Sequence, residues 1–98
     1  MAVKDDFVDI CSKKAQAEFV QYLKEMEELR KRIRIEDDGY ITIDIVYPYE
    51  FEVDRCNTPL KLLGWVYHLS EKTWATKDVL SMFILVVSEH FGWEIHSV

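Results

Sequence analysis

From Glu36 to Asp54 this chain has no lysine or arginine, yet the stretch carries seven carboxylates: Glu36, Asp37, Asp38, Asp44, Glu50, Glu52 and Asp54. Cysteine is scarce too. Cys11 and Cys56 are too few for a disulfide scaffold and lack metal-ligand spacing, so a reducing compartment is expected. The longest apolar run, Met82 to Val87, is far below the ~20 residues needed to span a membrane. The start, Met1 to Asp6, lacks the apolar run of a signal peptide, which points to the cytoplasm. Three glycines and two prolines leave no Gly-rich phosphate loop, low-complexity tract or linker. Nucleophile elbow, paired-histidine metal motif and Cys-x-x-Cys are all missing. A net charge of −6 opposes a nucleic-acid grip over the whole surface, because phosphate neutralisation needs clustered lysine and arginine.

What is present is ample for one packed domain: 98 residues, 49% apolar and 13% aromatic. Phe7, Ile10, Cys11, Ala15, Phe19, Tyr22 or Leu23, Met26 and Leu29 recur at three- and four-residue steps and predict an amphipathic helix over about 5–31. Asp5, Asp6 and Asp9 at its start, and Arg30, Lys31 and Arg32 at its end, complement the helix dipole. Strict alternation follows. Ile41, Ile43, Ile45, Tyr47, Tyr49, Phe51 and Val53 are apolar, and Thr42, Asp44, Glu50, Glu52 and Asp54 fall between them. Such a pattern predicts strand with one buried and one wet, acidic face.

Register follows from that pattern. A three-residue Asp37-Asp38-Gly39 loop sets Ile35 opposite Ile41 and Ile33 opposite Ile43, with all the isoleucines on one face. A two-residue loop would mix the faces. Because the odd-position pattern runs through Pro48, one long second strand, bent or bulged there, is expected. A wider turn with a bulge would also restore the phase. Thr58 and Pro59 then open a second helix, fading near Glu71, and Thr76 caps a third that ends at Gly92. Trp93 and Ile95 suggest a short terminal strand. The class is α+β, in the order α-β-β-α-α.

Three sets of residues are candidates for function. Asp44, Glu50, Glu52 and Asp54 form an acidic strand face suited to a basic protein partner. Trp74, in a short link between Lys72 and Lys77, could anchor a contact. The third helix is apolar almost all round, so Met82, Ile84 and Leu85 are candidates for a homodimer contact. His68 and Glu71 share a helix edge, but His90, His96 and the two cysteines are scattered, so no metal, cofactor or catalytic residue is expected.

The run Asp54-Arg55-Cys56-Asn57-Thr58-Pro59, with Trp65-Val66-Tyr67-His68-Leu69-Ser70-Glu71-Lys72-Thr73-Trp74-Ala75-Thr76 after it, resembles small proteins of phages, plasmids and other bacterial mobile elements. These carry a strand, an Asp-Arg-Cys-x-Thr-Pro junction and a Lys-Thr-Trp link. The resemblance spans about residues 49–92 and leaves the first helix unmatched. It implies a setting rather than an activity. Many small acidic proteins of such elements inhibit host defence machinery, anti-CRISPR proteins among them, inside the bacterial host cytoplasm.

Overall fold

A computed structural model describes the backbone of residues 2–95 and the side chains of residues 15–95. Helix α1 (Ala2–Arg32) begins three residues before the expected start and ends one after the expected end, with Arg30, Lys31 and Arg32 in its last turn. Strand β1 (Ile33–Ile35) follows directly. The first hairpin has the anticipated register: Ile33 faces Ile43 and Ile35 faces Ile41 in β2 (Tyr40–Asp44). Gly39 sits at φ 84°, and its amide donates to the Glu36 carbonyl at 3.0 Å. The Tyr40 amide donates to Asp38 Oδ1 at 3.1 Å, tying the turn to its own side chain.

The expected long second strand is instead two strands. Chain direction reverses at Ile45-Val46-Tyr47, and β3 (Pro48–Glu52) returns antiparallel, pairing Ile43 with Tyr49 and Ile41 with Phe51. A connection of three residues preserves which side chains share a face, so an uninterrupted alternation is equally compatible with a turn. Pro48 takes the first position of an edge strand, where its missing N–H is tolerated. The sheet order is β1-β2-β3, with β2 central.

A 3₁₀ turn (Val53–Cys56) leads into α2 (Pro59–Leu69), whose Thr58 cap accepts from the Lys61 amide at 3.1 Å. Thr76 Oγ1 likewise accepts from the Val79 amide to start α3 (Lys77–Phe91). Gly92 ends that helix at φ 73°, and the Trp93 amide reaches the Ser88 carbonyl at 2.8 Å. Residues 93–95 form no strand; the rest of the tail, His96 included, lies outside the described residues.

Ile33, Ile41, Ile43 and Phe51 form the buried sheet face, against which Phe83 and Val87 of α3 and Leu62 and Leu69 of α2 close the core. Burying a side chain such as Phe83 in full stabilises the fold by about 1.5–3 kcal/mol. The last turns of α1 join through half-buried Met26 and Leu29 and through the Arg30–Glu89 ion pair to α3. From Ala15 to Glu25 every side chain of α1 is exposed. The helix thus projects from the body, and the molecule measures 59 × 29 × 26 Å.

Candidate interaction surface

The register that buries the isoleucines turns Arg34, Glu36, Tyr40, Thr42, Asp44, Glu50 and Glu52 to the opposite face. That face is not uniformly wet. Thr42 is buried, because the central strand sets it between the longer Arg34 and Glu50 on its two neighbours. Arg34 Nε donates to Glu36 Oε1 at 2.5 Å, which offsets one carboxylate. Glu50 and Glu52 are exposed on edge strand β3, a two-residue step of about 6.6 Å apart. Asp54 is exposed in the 3₁₀ turn, and Asp44, at the far end of β2, is half-buried. None of these four carboxylates forms an ion pair among the described residues.

Trp74 does not belong to this surface. It is buried, its ring 6.1 Å from Tyr47 and 5.6 Å from Tyr49, with Lys72 Nζ 5.6 Å over the Tyr49 ring. The reversal at 45–47 brings those tyrosines to the inter-helix link and closes it over the indole. The expectation of a solvent-exposed Trp74 is therefore corrected. Tyr40 is the exposed aromatic of this face. It is exposed on the acidic face, directly across from Glu52 and hydrogen-bonded through its carbonyl to the Glu36 amide at 2.8 Å. Its signal in the sequence was its even position, in phase with the carboxylates and out of phase with the isoleucines.

The third helix is covered by its own chain more fully than its composition suggested. Met82 is buried at 3% exposure, Ile84 is half-buried and Leu85 is at the surface. Of the three residues expected at a homodimer contact, Met82 is core, because β1, α2 and the end of α1 all pack on α3.

Two chemistry-bearing residues lie elsewhere in the fold, His68 on the surface of α2 and Cys56 in the core. His68 Nε2 lies 3.3 Å from Tyr49 Oη, and its ring stands edge-on to Trp65, which stacks on Phe51 at 3.9 Å. Cys56 is fully buried, and that burial pushes its thiol up to about 11. Among the described residues no group of three or more His, Cys, Asp or Glu side chains could hold a metal ion. No helix there is long and apolar enough to cross a membrane. Comparisons with protein families, with curated proteins and with solved structures find no match to this chain.

Proposed function

We propose that this protein acts by binding rather than by catalysis, docking its acidic sheet face on a basic surface of a protein partner. The observation that supports this reading is the group Tyr40, Glu50, Glu52 and Asp54: unpaired carboxylates around an exposed aromatic on a rigid strand pair. Exposed carboxylates steer association with a basic partner, and a tyrosine among them supplies contact area. The resemblance to mobile-element proteins suggests the kind of partner, a host defence complex that handles nucleic acid, with this protein as its inhibitor.

The experiment is capture from a bacterial lysate by immobilised protein, compared with the Glu50→Lys/Glu52→Lys double variant. Both positions are exposed, so the variant is expected to fold, which an unchanged thermal transition checks. Loss of the captured protein, and of the salt dependence of its binding, is the expected result. Equal capture by the variant rules the acidic face out. The alternative, an assembly protein self-associating through Met82, Ile84 and Leu85, has less support on that surface, since Met82 is enclosed.

A further inference from the structure

One open pocket departs from the acidic character of the molecule. It measures about 300 Å³ and is lined by Arg55, Lys61, Gly64, Trp65 and His68. Two cations and an imidazole converge there with no carboxylate among the lining residues, in a chain whose net charge is −6. Helix geometry gathers them. Lys61, Gly64, Trp65 and His68 follow i, i+3, i+4, i+7 spacing on α2, and the 3₁₀ turn just before that helix adds Arg55. Neither Arg55 nor Lys61 has an ion-pair partner among the described residues, although Asp54 adjoins Arg55 in the chain. Arg30, Lys31 and Arg34, by contrast, each pair with a glutamate. Lys61 also stands in the first turn of α2, which holds no acidic residue, so its charge adds to the positive end of the helix dipole. That placement is unfavourable by itself and becomes favourable with an anion bound.

The other end of the pocket is flat and apolar. Trp65 lies four residues beyond Lys61, about 6 Å along the axis. Its indole stacks on the core residue Phe51 at 3.9 Å and 2°, and the His68 ring stands edge-on to it, with His68 Nε2 3.3 Å from Tyr49 Oη. These contacts fix the half-buried indole, and its remaining surface lines the pocket. A Cβ built at Gly64 would meet nothing within 4 Å, so the helix backbone is open to the pocket there. We propose that this pocket binds a nucleoside monophosphate, with the phosphate between Arg55 and Lys61 and the base against Trp65. An arginine fork and a lysine suit a phosphate, and a fixed indole gives a base its stacking partner. The volume stands at the lower end of the range for small-molecule sites, which suits one nucleotide. This site stands independently of the binding role assigned to the acidic sheet face.

Isothermal calorimetry of the full chain against AMP, GMP, CMP and UMP tests it, with inorganic phosphate, adenosine and a short oligothymidylate run alongside. At least one monophosphate should bind with a submillimolar Kd, and phosphate and nucleoside alone more weakly. Arg55→Ala/Lys61→Ala, at two exposed positions, should weaken that binding about tenfold or more at an unchanged thermal transition. Gly64→Ala replaces a glycine inside a helix, so it should raise the thermal transition while its methyl group, intruding on the pocket, lowers the affinity. Absence of binding by every monophosphate at millimolar concentration overturns the proposal. Equal affinity in the Arg55→Ala/Lys61→Ala variant, or for inorganic phosphate alone, overturns it as well. Binding of the oligothymidylate without any monophosphate would assign the pocket to a nucleic-acid strand and overturn the mononucleotide assignment.

Discussion

Cys56 follows Arg55 directly, an arrangement that in an open site would draw the thiol toward thiolate; enclosure in the core reverses the sign. Burial disfavours the charged form, and the thiol is raised from 9.0 to about 11. The unfolded chain therefore loses this proton near pH 9 while the folded chain keeps it to about pH 11. Stability from this group is complete below pH 9 and drains away as pH rises through that window. Urea midpoints between pH 8 and pH 11 should fall less steeply for Cys56→Ala than for the parent. Equal slopes would show that Cys56 is not the group responsible. Ile43 makes the same argument without a charge. It is fully buried on the central strand, so Ile43→Asp removes packing and introduces an unpaired polar group, a loss on the order of 4 kcal/mol or more. A variant melting with the parent would mean that the sheet faces are assigned the wrong way round.

Each hairpin depends on a connection of three residues, and in the first of them Gly39 carries the left-handed position. A Cβ there would meet nothing within 4 Å, so any cost of Gly39→Ala is backbone strain alone, about 1 kcal/mol. It should appear as a lower denaturant midpoint at unchanged slope; an unshifted midpoint would show that the turn relaxes to another form. Local chemistry made much of this architecture readable beforehand. The Thr58 and Thr76 caps, the Gly92 stop and the pairing of Ile35 with Ile41 each follow from a few neighbouring residues, and each is present. The reversal at Ile45-Val46-Tyr47 was hidden, because an odd connection leaves the alternation intact and Pro48 suits both a bulge and the first residue of an edge strand. Burial of Trp74 was hidden for a related reason: the tyrosines that cover it arrive through that same reversal. The acidic carboxylates of the sheet face were legible as a charge pattern. Tyr40 became part of that surface only once pairing with Glu52 set its face.

Among the described residues, the projecting helix meets α3 through Met26, Leu29 and the exposed Arg30–Glu89 pair, and its end runs directly into β1. An exposed ion pair contributes at most about 1 kcal/mol, so the two apolar side chains carry most of that junction. A radius of gyration of 17.7 Å stands well above the ~13 Å of a compact chain of this length. Drag follows shape as well as mass. A rod-like arm sweeps out far more solvent than its atoms occupy, so even one copy migrates through a porous gel as a much heavier sphere would. Its rotation in solution is slower end over end than about the arm's own axis.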